Sequence, residues 1–220
     1  MTRRPRGNGP YVIVPVKGLG EAKSRLGKVL DSVARAELVL AMLDDVLSAV
    51  RATHDGPLLV VTPDASYEHM AIDAAAELVI DGGEGYNAAV KLALELATAH
   101  EIQSALILPA DQARVQPNEL QIAIEALNQV GMVVVPSRDG GTGLLGLRPP
   151  EVIAPSFGLQ SALRHRMLGE AAGLEVAWLE LPSLHDDVDT VEDLLRESAP
   201  LGIATAAFAT TYRSVLKRTN

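Results

Sequence analysis

The sequence predicts an α/β fold: a mostly parallel sheet flanked by helices, with an antiparallel element in its second half. Three observations carry this. Short apolar runs recur along the chain, long enough for buried strands and too short for helices. Stretches with apolar residues at helical spacing separate them. The later part is less regular and contains a glycine-rich turn, Asp139-Gly140-Gly141-Thr142-Gly143, where an antiparallel strand is expected.

Taken in order, Tyr11 to Val16 reads as the first strand, and the loop Lys17 to Lys28 follows with three glycines and four basic residues. Asp31 or Ser32 can cap a helix whose apolar positions (Ala36, Val39, Leu40, Leu43, Val46, Leu47 and Val50) run to about Ala52. His54-Asp55-Gly56-Pro57 is a turn. Leu58 to Thr62 is the second strand, Ser66 to Ala76 a helix, and Leu78 to Ile80 a short strand. Asp81 to Gly85 is a loop, and Ala88 to Ala99 an amphipathic helix. Ala105 to Leu108 is a strand stopped by Pro109, which has no ladder donor. A helix from about Pro117 to Asn128, an apolar run from Met132 to Val135 and a strand from Leu144 to Leu147 come next. Then follow a helix (Gln160 to Ala172), a strand (Leu174 to Leu179), an acidic loop and a last clear helix (Thr190 to Ser198). Nothing in the pattern places Pro200 to Asn220.

With 220 residues, 48% of them apolar and 21% charged, one domain with a sizeable core is expected over residues 11–220. Residues 1–10 are basic, with no apolar stretch of the signal-peptide kind, and read as a flexible tail. The net charge of −9 argues against nucleic acid as a partner. It leaves room for an anionic nucleotide, because a local cation cluster or a metal can reverse the field in one cleft. The absence of cysteine excludes disulfides, thiolate chemistry and Cys-type zinc sites, and suits a reducing cytoplasm. No apolar run reaches membrane-spanning length, so no membrane partner is expected.

Three groups of residues carry possible chemistry. Asp111 stands just past the carboxyl end of the Ala105 strand, where open α/β sheets bind ligands. A carboxylate there is a candidate Mg²⁺ ligand, and Asp186, Asp187 and Asp189 form a second acidic group. Asp187 and Asp189, two apart, point to one side of an extended segment and can converge on one ion. They can equally belong to a helix N-terminus, with Thr190 as the cap. Whether Asp111 meets the pair in space decides between these.

The second group is Lys17 with Lys23, Ser24 and Arg25, a basic loop after the first strand, where phosphates bind. It has neither the Walker A ending nor the third glycine of a dinucleotide fingerprint, and on spacing alone it is as readily a solvated turn. The third is Gly140 to Gly143 with Phe157-Gly158, Ser161, Arg164 and His165. Thr142 and Ser161 offer hydroxyls to a phosphate or carboxylate, although two ordinary turns with a capping serine would look the same. His165 reads as a structural or surface histidine rather than as a base, since a phosphate nucleophile needs none. Asn87 is either a helix cap or a contact to base or ribose. No zinc-spaced histidines and no Gly-x-Ser-x-Gly support a hydrolase.

Together these motifs resemble the guanylyltransferases of coenzyme F420 biosynthesis, which act on phosphoenolpyruvate in bacteria and on 2-phospho-L-lactate in archaea. The resemblance runs from Val14 to about Leu195. It rests on Val-Pro-Val-Lys17, Ala-Lys23-Ser-Arg25-Leu, Leu-Pro-Ala-Asp111, Gly-Thr142-Gly-Leu-Leu, Phe-Gly158-x-x-Ser161 with Arg164-His165, and Asp187-Val-Asp189-Thr. It departs where Gln112-Ala-Arg-Val follows Asp111 in place of a Leu-Pro turn, and where Leu-Gln follows Gly158 in place of a common Pro. The resemblance implies a Rossmann-like nucleotidyltransferase fold. It implies Mg²⁺ on Asp111, Asp187 and Asp189, acceptor contacts from Thr142, Gly158 and Ser161, and a triphosphate facing Lys17, Lys23 and Arg25. GTP and phosphoenolpyruvate are then the expected partners. 2-Phospho-L-lactate or 3-phosphoglycerate is an alternative acceptor, a nucleotide-binding regulator without turnover is an alternative of another class, and a homodimer is left open.

Overall fold

β1 (Tyr11–Pro15) is buried along its whole length, as a central parallel strand must be when helices cover both faces. The computed structural model describes residues 9–20 and 23–216. Residues 1–8 of the expected tail lie outside that range, and Pro10 is buried beside β1. The other strands are β2 (Leu58–Thr62), β3 (Glu77–Ile80), β4 (Ala105–Ile107), β5 (Met132–Pro136), β6 (Thr142–Leu147) and β7 (Val176–Trp178). They form one sheet in the order β3-β2-β1-β4-β6-β5-β7. β6 alone runs antiparallel, to both β4 and β5, which realises the expected antiparallel element.

Successive residues on each strand feed two cores. Val12, Val14, Val60, Leu106 and Val133 face α1 (Ser32–Thr53) and α4 (Pro117–Leu127). Ile13, Leu59, Ile107, Val134 and Leu145 face α3 (Tyr86–Ala99), with Ala162 of α5 (Ser161–Ala171) in the same cluster. Asp31, not Ser32, caps α1 by accepting the Ala34 N–H at 2.8 Å. The expected helix Ser66 to Ala76 is shorter, a 3₁₀ turn followed by α2 (Glu68–Asp73), because the chain turns through a left-handed Ala75 (φ 50°) into β3. α6 (Val191–Leu195) also stops early. The Arg114 guanidinium draws in the carbonyls of Asp193, Arg196 and Ala199, and Arg196 is extended.

The unplaced tail folds as α7 (Ile203–Thr211) and α8 (Arg213–Leu216), with α7 against α1. Asp45 of α1 caps α7, accepting from Ala204 N–H (2.9 Å) and Thr205 N–H (2.8 Å). No helix among the described residues is long and apolar enough to cross a membrane.

The strand order reverses direction at β1. The chain moves outward to β2 and β3, then returns to place β4 on the other side. The carboxyl ends of β1 and β4 therefore flank a switch-point crevice. Because β6 is antiparallel, its first residue, not its last, lies at that edge. The β5–β6 turn and the segment leaving β7 arrive there too.

Candidate active site

The crevice is a cleft of about 410 Å³. Lys17, Lys23, Arg25, Asp111, Thr142, Gly158, Ser161, Asp187 and Asp189 all line it. They come from segments far apart in the sequence. Lys17 follows β1, Asp111 follows β4, and Thr142 opens β6.

The segment after β7 crosses back over the sheet and is fastened at several points. Gln116 N–H donates to Ser183 Oγ (3.1 Å), and Ser183 donates to Glu119 (2.6 Å). Arg138 N–H donates to the His185 carbonyl (2.8 Å), and Val188 N–H to the Asp111 carbonyl (3.2 Å). The Leu184 carbonyl passes so near Gly143 that a Cβ there would collide with it. Val188 is buried in the core, so Asp187 and Asp189 on either side of it face the cleft. Asp186 does not join them. It is buried in an ion pair with Arg138 (2.5 Å), whose hydrogen bond holds its carboxyl below the usual range.

Oxygens of Asp111, Asp187 and Asp189 lie within 4.8 Å of one another. The acidic loop divides its residues between a helix start and the cleft. Thr190 caps α6 in a capping box with Asp193, while Asp189 faces the cleft. The buried Lys23 ammonium donates to Asp111 (3.0 Å) and Asp189 (2.7 Å), and Arg25 reaches Asp189 at 3.4 Å. Lys23 takes a left-handed backbone conformation (φ 53°, ψ 41°), a strain sustained here by two ion pairs. Burial would lower its pKa, but the two carboxylates outweigh that and raise it. Burial likewise works against Asp189 ionisation, and Lys23 and Arg25 overcome it. Asp187 makes no ion pair among the described residues, and the Lys23 charge, which lowers its pKa, is outweighed. Burial first, then the charges of Asp111 and Asp189, push it up to about 7. The carboxylates thus exceed the buried positive charge between them.

On the opposite wall, four groups form a hydrogen-bonded chain. Ser156 N–H donates to His165 Nε2 at 2.9 Å, which fixes that nitrogen as an acceptor. The neutral ring then carries its proton on Nδ1 and donates to Thr142 Oγ1 (3.0 Å). Thr142 Oγ1 and Ser161 Oγ share a further hydrogen bond (2.8 Å) in which either hydroxyl can donate; when Thr142 donates, the Ser161 proton is left for the cleft. Burial, with the Arg164 charge, lowers the His165 pKa to about 4, so the ring stays neutral. The structural reading of His165 holds. Ser161 does not cap its helix, because its hydroxyl belongs to this chain; Gln160 stands at the cap position. Gly158 (φ 134°) has a backbone that side-chain residues rarely adopt.

Asn87 is not among the residues that line this cleft, and Gly85 rather than Asn87 stands at the helix cap. Its amide is committed to Phe157. Nδ2 donates to the Phe157 carbonyl (3.2 Å), and Oδ1 accepts the Phe157 N–H (2.8 Å). It is a latch for the Phe157-Gly158 wall. Phe157 meets Tyr86 and His165 edge to face, with ring centroids 5.2 and 5.0 Å away. Tyr86, Gln112, Ser137 and Asp139 also line the cleft and had been given no place there. Their only sequence signal was adjacency to residues already marked.

The family model described as Guanylyl transferase CofC like matches residues 10–198, which include every residue of this cleft. The chain belongs to that family. The chain is 34% identical over 194 residues to a phosphoenolpyruvate guanylyltransferase of Sphaerobacter thermophilus, covering 86% of this chain and 94% of the relative. It is 37% identical over 210 residues to a 3-phospho-D-glycerate guanylyltransferase of Phenylobacterium zucineum, covering 92% and 96%. A crystal structure from Desulfovibrio desulfuricans G20, described as a nucleotide-diphospho-sugar transferase, superposes with a TM-score of 0.76 at 22% identity, covering 95% of this chain and 97% of that one. The fold is that of the Rossmann-like nucleotidyltransferases, and this member of the guanylyl transferase family is a nucleotidyltransferase.

Proposed function

We propose that the protein transfers GMP from GTP to the phosphate of phosphoenolpyruvate and releases pyrophosphate, a step of coenzyme F420 biosynthesis. The observation that carries the reading is the split of the cleft. Carboxylates and the basic loop occupy one wall, and the Thr142–Ser161 hydroxyl chain occupies the other. The first suits a metal-bound nucleotide triphosphate and the second an anionic acceptor.

In the reaction an oxygen of the acceptor phosphate attacks the α-phosphorus of GTP. The bond from that phosphorus to the bridging α–β oxygen breaks, and pyrophosphate leaves with the bond's electrons. No general base is required. Lys17, Lys23 and Arg25 offset the charge that accumulates on the leaving pyrophosphate. The Ser161 proton and neighbouring backbone N–H groups at Gly158 hold the acceptor at a fixed place, which contributes through orientation.

Three hard oxygen donors within 4.8 Å of one another, with too little buried positive charge among them, fit Mg²⁺. Asp111, Asp187 and Asp189 would hold it, and when bound it polarises phosphoryl oxygens and compensates their charge. The relative from Phenylobacterium zucineum favours a second acceptor, 3-phospho-D-glycerate, for the same transfer.

The test is pyrophosphate release from purified protein with Mg²⁺ and GTP, offered phosphoenolpyruvate, 2-phospho-L-lactate or 3-phospho-D-glycerate. Release that requires phosphoenolpyruvate is the expected result. The Asp189→Asn variant is expected to lose roughly a hundred-fold in kcat. Full turnover by that variant would sink the metal assignment.

A further inference from the structure

Lys23 and the carboxylate group occupy each other. The Lys23 side chain is 8% exposed, and its ammonium bridges Asp111 (3.0 Å) and Asp189 (2.7 Å), two of the three residues that could hold a divalent ion. Arg25 reaches Asp189 alone, at 3.4 Å, on a side chain that is 74% exposed. The two cations therefore differ in kind. Arg25 is a solvated neighbour of the carboxylates, and Lys23 is a buried tie between them.

A divalent ion that took the same oxygens would set its charge beside that of the ammonium, and the two would repel. Free Mg²⁺ must therefore displace a doubly paired ammonium. On leaving the carboxylates, the ammonium needs another anion, because a buried charge without a partner is costly. A nucleotide triphosphate on the basic loop supplies one. The exchange asks little of the fold. Leu26 anchors the loop in the core (1% exposed), and the lysine's charge rides on a flexible four-carbon stem. The left-handed backbone at Lys23 (φ 53°) is sustained by the same two ion pairs, so it too is free to relax once they exchange.

We infer that Lys23 is a positioning residue that keeps the carboxylates closed to free Mg²⁺ and opens them when a triphosphate arrives, so that metal and nucleotide enter the cleft together. The inference rests on the guanylyl-transfer reading above, which puts the triphosphate on the basic loop and the ion on the carboxylates. Each ligand then favours the other by one factor. The triphosphate draws the ammonium from Asp111 and Asp189, and the ion compensates the carboxylates that the ammonium leaves.

The experiment is calorimetric titration of Mg²⁺ alone into nucleotide-free wild type, Lys23→Met and Arg25→Gln. Lys23→Met is expected to bind Mg²⁺ roughly ten- to a hundred-fold more tightly than the wild type, and Arg25→Gln by less than about three-fold. The factor by which Mg²⁺ tightens binding of a GTP analogue with a methylene α–β bridge should fall in Lys23→Met by the same ratio. Lys23→Gln, which removes the charge and keeps a donor, is the second variant if Lys23→Met does not fold. Equal Mg²⁺ affinity in wild type and Lys23→Met overturns the inference. So does equal tightening by Arg25→Gln, which would show that Lys23 acts only through its background charge. If none of these proteins binds Mg²⁺, with or without the analogue, the inference falls together with the metal assignment. Tighter Mg²⁺ binding by Lys23→Met, in a protein whose wild type releases no pyrophosphate with any acceptor, supports the inference while the transfer reading fails.

Discussion

The proton order along Ser156, His165, Thr142 and Ser161 depends on His165 being neutral. Its Nε2 already accepts a backbone N–H, so an imidazolium would put two hydrogens against each other. This makes a pH prediction with a definite sign. The folded pKa of about 4 lies below the ordinary 6.5, so the folded chain binds this proton less readily than the unfolded chain. Above pH 6.5 both states are neutral and the contribution is fully present. It is lost progressively as pH falls from 6.5 towards 4, by about 3 kcal/mol in all. Melting curves of the wild type and of His165→Gln across that window should therefore converge towards acid. Parallel curves would show that His165 titrates normally. The same neutral ring, by donating to Thr142, links a buried core residue to the hydroxyl wall of the cleft.

The reversal of β6 is the decisive feature among the elements. A parallel strand in that position would bring its far end to the crevice and take Thr142 to the opposite edge of the sheet. With β6 inverted, the segment from β7 must cross over its first residues to deliver Asp187 and Asp189, and Gly143 is where it crosses. Gly143→Ala is expected to cost about 2–3 kcal/mol of stability through overpacking. Since the obstacle is the backbone carbonyl of Leu184, relief requires the acidic segment to move, and GTP turnover should fall along with stability. Gly146→Ala is the milder comparison on the same strand, where a Cβ would meet the Leu127 side chain at 3.1 Å and Val133 Cβ at 3.2 Å rather than a backbone carbonyl. Urea denaturation with turnover measured on both variants checks this. A Gly143→Ala protein with wild-type turnover would show that the crossing tolerates displacement.

For the whole molecule, what the sequence made legible follows the range of the interactions. Strands buried on both faces write themselves as unbroken apolar runs, so β1, β2 and β4 and the edge that carries Lys17 and Asp111 could be read directly. α7 could not, because its apolar residues lack helical periodicity and its cap, Asp45, lies far upstream on α1. Asn87 was read as a cap or a ligand contact because its true partner, Phe157, is seventy residues away. Tyr86 and Gln112 belong to the cleft only through the packing of distant segments. Asp111, Asp187 and Asp189 were each legible, whereas their convergence followed from the family resemblance and not from spacing, since it joins the middle of the chain to its later part. This convergence makes the carboxylate group a tie across the fold, and a ligand held by it should stabilise the protein globally. With Mg²⁺ and GTP at a hundred times the dissociation constant, linkage gives about 2.7 kcal/mol. For a domain of this size that corresponds to a rise of roughly 5–10 °C in melting temperature. An Asp187→Asn, Asp189→Asn double variant should fold and lose most of the metal-dependent part of that rise, because the loop remains fastened through Ser183, His185 and Val188 while the donor set is gone. Scans with GTP alone, Mg²⁺ alone and both together separate the contributions. If the double variant gained as much from Mg²⁺ as the wild type, the ion would be held by the triphosphate without the protein's carboxylates, and the convergence would serve the Lys23 ion pairs alone.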